Sequence, residues 1–576
     1  MYCKFCGKQI SDNSVFCSFC GKRLDDATPA VSTGAADVDL SALEGFFTGA
    51  VEKKRAADAE AERLAKMFEM KDGILVKYHS PENPESTVTV PASVTSIGQS
   101  AFEHTWGIKR LILPEGLLTI GESAFAWTRI GEINIPSTVS YIGKCAFQGT
   151  DITEVVLPRG IASVEESAFS YCDNLESVAI PSGVTRIDKA AFSHAKMLSS
   201  ITLPDSVTEI GDFAFSECKA LTSIALPKGL KKLGNGAFSE SALISIDLPD
   251  GVEELCGTFA RCEQLETVTV GKWTKNLGYA VFSCCNSLKH VNLGQSVTEI
   301  QGDAFEANSN RSCEHLTVEI PASVKVIADD AFFWRAGNNI TVIYGGTYGE
   351  WKALDEEAKI YAGEVICTGA LKVGDSTLFG RYPTYYDGKE LRQIEWRVLA
   401  TGADRVLLIS KDIIDCQPFY HEQSKTTWER SSLRRWLNDT FLPMAFNSED
   451  QARIIPTTVM TEDHPKFGTK GGGITTDRIF CLSLAEYQQY VSGHPDVRAV
   501  EMTNYAEHHY NQRGFMNTLS SQDAWWLRTP GREPFDNSCR GNESACFLWA
   551  RDGELYENGS WVHTAGGVRP ALWIKK

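Results

Sequence analysis

At 576 residues the chain is too long for one hydrophobic core, and at roughly 150 residues per domain it divides into about four units. Apolar residues make up 43% and charged residues 23%, an ordinary globular composition that excludes wholesale disorder. A formal charge of −18 argues against a nucleic-acid partner, and no run of apolar residues is long enough for a membrane-spanning helix.

The first residues run straight into Cys3-x-x-Cys6-Gly7, followed by Cys17-x-x-Cys20-Gly21. A charged stretch followed by an apolar one, as in a secretory leader, is not found there. Each CxxC turn delivers two thiolates to one tetrahedral metal, and the following glycine eases the tight knuckle. Residues 1–24 resemble the short zinc ribbons at the N-termini of bacterial proteins. The resemblance implies a structural zinc held by Cys3, Cys6, Cys17 and Cys20, with no open position for catalysis. A metal-bound thiolate site and 17 cysteines, an odd number, favour the reducing cytoplasm, with the cell surface as the alternative.

Residues 25–40 read as a flexible linker of small and polar residues. Residues 41–71 read as a helix. Ser41 and Glu44 have capping-box spacing, and Leu43, Phe47, Ala50, Ala57, Ala61, Leu64 and Phe68 form one apolar stripe.

From residue 72 to 346 the chain repeats itself. Phe102, Phe125, Phe147, Phe169, Phe192, Phe215, Phe238, Phe259, Phe282, Phe305 and Phe332 are mostly 22 or 23 residues apart. Most follow a phrase such as VTSIGQSAF or VTEIGDFAF, itself preceded by a strand ending in proline, as in LILPEG and ITLPDS. A period in the low twenties predicts a β-rich solenoid of about eleven coils, because one coil cannot bury its apolar side alone. The segment resembles the BspA-type leucine-rich repeats of bacterial proteins, and the tail around Trp351, within 347–370, resembles the phrase that caps such arrays. This resemblance implies an interaction surface, not a reaction.

Two registers within the repeat bear on function. Cys172, Cys218, Cys262 and Cys285 stand three residues after the phenylalanine, where other coils place Thr, Ala, Ser or Asn. This predicts a buried ladder of small side chains in which cysteine acts as a small hydrophobe. Strand alternation points a second row outwards: Ile112, Asn134, Val156, Ala179, Thr202, Ala225, Asp247, Thr269, Asn292 and Glu319. That row has no aromatic stripe and no basic track. Residues 72–370 carry 22 basic against 37 acidic side chains, a net of −15, which repels phosphate backbones and leaves a protein or peptide as the expected partner.

Residues 371–576 stop repeating, hold eight of the 13 tryptophans and are nearly charge-balanced. Strand-like runs (IEWRVLA, RVLLIS, RIFCLS, ACFLWA, VRPALWI) alternate with helix-like segments (SSLRRWLNDTF, SLAEYQQYV), which reads as α+β. The phrases TTWERSSLRRWLNDTF, AWWLRTPG and GGVRPALWIKK resemble an uncharacterised Trp-rich bacterial domain, with a fainter likeness to C-type-lectin-like folds. No catalytic motif or metal-ligand spacing stands out, so the candidate ligand-binding residues are aromatic and cationic: Trp428, Trp525 and Trp526 as a platform for a peptide or glycan, with Arg434 and Arg528 as donors. Trp525 and Trp526 are adjacent, so strand alternation puts one of them inwards and one outwards. The whole reads as a non-enzymatic multi-domain adaptor, with a surface adhesin or an enzyme sited in 371–576 as alternatives.

Overall fold

The computed structural model describes residues 54–55, 58–81, 86–307, 315–333, 340–360, 362–421, 426–498, 500–512, 524–531, 544–549, 555–561 and 565–576. The expected zinc ribbon, linker and first helical residues lie outside that set. The chain forms two compact units, Met1–Lys66 and Met67–Lys576.

Residues 58–67 are helical. The helix stops there and does not continue to Lys71 as the apolar stripe suggests, because Phe68–Lys71 is a strand paired antiparallel with Ile74–Tyr78. Asp72 and Gly73, at φ 50° and 78°, make the turn between them. Two consecutive left-handed residues match the right-handed twist of a hairpin, and this local signal overrides the helical pattern.

Ile74–Tyr78 is also the first rung of the solenoid, since it pairs parallel with Ser96–Ile97. Tyr78 stacks on Phe102 and begins a column of buried rings that runs through every repeat phenylalanine to Phe332. Neighbouring centroids are 4.7–5.8 Å apart along the column. The stack therefore has about twelve turns, one more than the phenylalanines alone count. Most coils add a short strand to one of several parallel ladders in register, as Val155, Val178 and Ile201 illustrate, with the middle residue buried and its neighbours turned away, while the coil around Ile224 has no strand in that row. The backbone locks the rings as well: Phe102, Phe125 and Phe147 each donate their N–H to an alanine carbonyl of the next coil at 2.8 Å.

The ladder closes with Ile340–Tyr344 and then Glu364–Cys367, the last strand of its sheet. Between them Tyr348–Ala358 is a helix begun by a Thr347–Glu350 capping box, and its Trp351 is buried against Tyr344.

The C-terminal region is α+β. One antiparallel sheet has the strand order Ser376–Pro383, Leu391–Thr401, Arg405–Ser410, Ala571–Lys575. A second has the order Asp415–Pro418, Ala565–Val568, Ala524–Pro530, Ser544–Trp549, Leu555–Trp561. Helical turns from Ser432 to Ala445 and a helix Leu484–Tyr490, with the capping box Ser483–Glu486, pack into a single apolar core with these sheets. The run RIFCLS is not a strand; it touches the sheet through one bridge, Phe480 to Ala571.

Candidate functional site

The row of strand residues from Ile112 to Thr269 is exposed, and Asn292 and Glu319 are half-buried. It is a mixed neutral face on which Val156 stands out at 72% exposure.

A second row, two residues after each phenylalanine, carries the aromatic side chains that the strand row lacks. His104, Trp127, Gly149, Tyr171, His194, Glu217, Glu240, Arg261 and Cys284 all have left-handed φ, between 57° and 67°. Each coil has to reverse there, and the strain of a non-glycine residue at positive φ is held by coil-to-coil bonds such as His194 N–H to the Ser216 carbonyl. Gly149 is special: a Cβ there would collide with the Trp127 indole. The missing side chain lets that indole lean across the intervening coil and meet Tyr171, 5.8 Å between centroids. Tyr171 then stacks on His194 at 4.2 Å and 10°. The ridge continues as charge. His194 meets Glu217 at 3.4 Å, while Lys219 and Arg261 both pair with Glu240. Trp127 and Tyr171 remain about 40% exposed, and Trp106, with Arg129 over its ring, flanks them at 58%.

Inside the coil the cysteine ladder is present, with a modification. The four thiols are fully buried, and each donates to the carbonyl of the preceding coil's phenylalanine: Cys172 to Phe147 at 3.1 Å, Cys218 to Phe192, Cys262 to Phe238, and Cys285 to Phe259. Thr128 and Thr150 serve Phe125 and Phe147 in their own coils. The slot therefore accommodates a small donor as well as a small hydrophobe such as Ala195. Burial pushes Cys172 and Cys262 up to about 11 and Cys218 up to about 12.

Four of the five residues proposed from sequence as a ligand platform lie in the interior. Trp428, Trp525, Trp526 and Arg528 are buried to within 2%. Trp428 donates its indole N–H to Asp477 at 2.8 Å, and Arg434 pairs with the other oxygen of that carboxylate at 2.6 Å, so these two residues do meet. Trp525, Trp526 and Arg528 sit on the strand Ala524–Pro530, every residue of which is buried. The expectation that one of the two tryptophans faces outwards fails because this strand is central in its sheet and covered on both sides. Trp526 donates to the Gln417 carbonyl, and Trp525 lies under the guanidinium of Arg569 at 5.1 Å. Arg528 binds Glu486 and the carbonyls of Cys481 and Met460. Arg434 alone keeps partial exposure, at 25% of its side chain.

Sequence reasoning missed the groups that organise this core. Buried Asp415 accepts from Tyr382 Oη at 2.8 Å, from Gln417, from the Cys416 N–H and from His509 Nδ1 at 2.9 Å, which places the histidine proton on Nδ1. Arg569 is wholly buried, donates to the carbonyls of Ser410 and Val497, and is pulled down to about 9 by burial, so it remains a cation at neutral pH. Only the tertiary fold brings these partners together.

Among known proteins, residues 82–312 match the model of the BspA type leucine rich repeat region, residues 2–24 that of a zinc-ribbon domain, and residues 403–576 that of a domain of unknown function (DUF6273). The chain thus carries all three modules. The structural domain begins before the third match, since Ser376–Pro383 and Leu391–Thr401 complete its first sheet. Nothing among the curated proteins matches the chain. Among solved structures it is similar to a leucine-rich repeat protein from Bacteroides ovatus, at 23% identity and TM-score 0.41, over 50% of this chain and 78% of that one. It is also similar to a leucine rich cell surface protein from Faecalibacterium prausnitzii, at 26% identity and TM-score 0.32, over 50% and 95%. The pneumococcal vaccine antigen PcpA matches at 15% identity and TM-score 0.28, over 52% and 92%. No helix among the described residues is long and apolar enough to cross a membrane.

Proposed function

We propose that the chain is a non-enzymatic adaptor that recognises protein or peptide partners through its repeat solenoid. The ridge of Trp127, Tyr171 and His194 running into Glu217 and Glu240 carries this reading. Partly exposed Trp127 and Tyr171 rings, on a solenoid with a net charge of −15, suit a partner that presents arginine or lysine. The four N-terminal thiolates hold a structural zinc in this reading, and the C-terminal domain is a second folded module whose tryptophans serve its core. The cytoplasm is the proposed location. Ten described cysteines are free thiols, and cell fractionation decides between this and the surface alternative.

Fluorescence anisotropy of labelled oligo-arginine and oligo-glutamate peptides with the full chain tests the ridge. Arginine peptides should bind, weaken with added salt, and lose about tenfold in affinity with Trp127→Ala/Tyr171→Ala, a drop of about 1.4 kcal/mol. Equal binding by the double variant, at unchanged melting temperature, would falsify the assignment of the ridge.

A further inference from the structure

Two arginine-bearing segments of the C-terminal domain meet around a cavity of about 440 Å³. Arg434 and Arg435 reach it from the helical turn Ser432–Arg435, and Arg478 from the residue just past the strand Ile474–Asp477. The helix widens directly after the first two, over Trp436–Phe441, where the Leu442 N–H reaches back five residues to the Leu437 carbonyl. Such π-turns recur at functional sites.

The widened turn carries Asn438, which ties the two walls together. Its Oδ1 accepts from the N–H groups of Arg478 at 2.9 Å and Ile479 at 3.2 Å. Its Nδ2 donates to the carbonyls of Ile479 at 2.9 Å and Arg434 at 3.0 Å. The amide is thereby fully used, so Asn438 fixes the spacing of Arg434 and Arg478 and offers no group to a ligand.

The charges are divided unevenly. Asp477 is buried, and its carboxylate is spent on Arg434 Nε at 2.6 Å, the Trp428 indole at 2.8 Å and Thr475 Oγ1 at 2.7 Å. Arg434 also sends Nη1 to the Glu429 carbonyl, which holds its guanidinium in place with Nη2 left over. Arg435 is exposed and Arg478 half-buried, and among the described residues neither guanidinium makes an ion pair or a hydrogen bond. Asp439, at the rim, is exposed and pairs with none of the three. Three arginines against two aspartates leave the lining positive on a chain whose net charge is −18.

We propose that this cavity binds the phosphate group of a small phosphate monoester. Arg435, Arg478 and Arg434 Nη2 donate to the phosphate oxygens, and the ester's apolar part lies towards Leu442 and Pro456, which complete the lining. A guanidinium stays charged and matches phosphate oxygens in a bidentate fork. Two uncompensated guanidiniums favour a dianion over a monocarboxylate. A volume that would hold on the order of ten waters leaves room for a substituent beside the phosphate. The site lies in a different module from the aromatic ridge and does not depend on it.

Phosphorus NMR of phenyl phosphate titrated with the full chain tests the site. The resonance should shift and broaden on binding. Arg435→Gln/Arg478→Gln should weaken binding about tenfold at unchanged melting temperature. Arg435→Gln alone, at an exposed position where folding is not at stake, should weaken it about threefold. Benzoate, with the same ring and a single charge, should compete about tenfold more weakly than the ester. An unperturbed resonance, or binding indifferent to Arg435→Gln and to the double variant, would overturn the proposal. Benzoate competing as well as phenyl phosphate would show that any single negative charge suffices, and inorganic phosphate binding as tightly as the ester would show that the substituent plays no part; either result would overturn it too.

Discussion

A single slot in the repeat shows how tightly residue identity is bound to local chemistry. The residue three after each phenylalanine must be small enough to stack between coils, and the four cysteines, with Thr128 and Thr150, add a side-chain donor to phenylalanine carbonyls such as those of Phe147, Phe192, Phe238 and Phe259, which already accept a main-chain N–H. Spacing revealed the ladder, but not the donor role, because the carbonyl that accepts from each cysteine belongs to another coil. The consequence is testable in the native protein. With thiols pushed up to about 11 and 12, Cys172, Cys262 and Cys218 hold roughly a thousandth or less of their population as thiolate at pH 8, and burial shields that fraction further. Iodoacetamide at pH 8 followed by peptide mass mapping should therefore label exposed Cys256 and spare all three until denaturant is added. Native labelling of Cys218 at the rate of Cys256 would contradict the buried ladder. The ridge two residues after each phenylalanine was legible by the same phase counting, as His104, Trp127, Tyr171 and His194. Alternation along the strands drew attention to a different row. What spacing could not supply was the left-handed backbone that throws those side chains outwards, or the part played by Gly149.

At the scale of elements, the phenylalanine column makes the solenoid continuous. Phe192 is fully buried, with Phe169 at 5.6 Å on one side and Phe215 at 5.4 Å on the other. Phe192→Ala removes a ring from a stack that cannot readily collapse along its axis, at a cost of about 3–5 kcal/mol. Because each coil contacts only its neighbours, that loss should appear locally. Hydrogen exchange should accelerate between about Ala168 and Ala214 while the coils around Phe282 and Phe305 stay protected. Uniform acceleration across the solenoid would show instead that it opens as one unit. In the C-terminal domain the sequence pattern disclosed four of the eleven strands and two of the helical segments, and it drew attention to tryptophans that the fold buries. Its tryptophans are conspicuous in sequence, yet Trp428 and Trp526 spend their N–H groups on Asp477 and on the Gln417 carbonyl. Side chains so satisfied in the core are fixed by partners 49 and 109 residues away in the chain, a distance at which local pattern carries no information.

On the scale of the whole molecule, two compact units imply two independent sources of stability. Met67–Lys576 is held by its ring column and by the C-terminal apolar core, neither of which contains a metal-ligand cluster among the described residues. Residues 2–24, matched to a zinc-ribbon domain, are too few to fold on apolar burial, and in the proposed reading the ligation energy of Cys3, Cys6, Cys17 and Cys20 substitutes for a core there. Natively purified full-length protein should contain about one zinc per chain by elemental analysis. A strong chelator should remove that zinc and free four thiols to a colorimetric reagent, while the melting transition of the β-rich unit stays where it was. Retention of the transition with loss of zinc would establish that the metal stabilises the N-terminal segment alone. A melting point that falls with chelation would mean that the metal-bound segment braces the solenoid, and the two units would then have to be treated as one thermodynamic body.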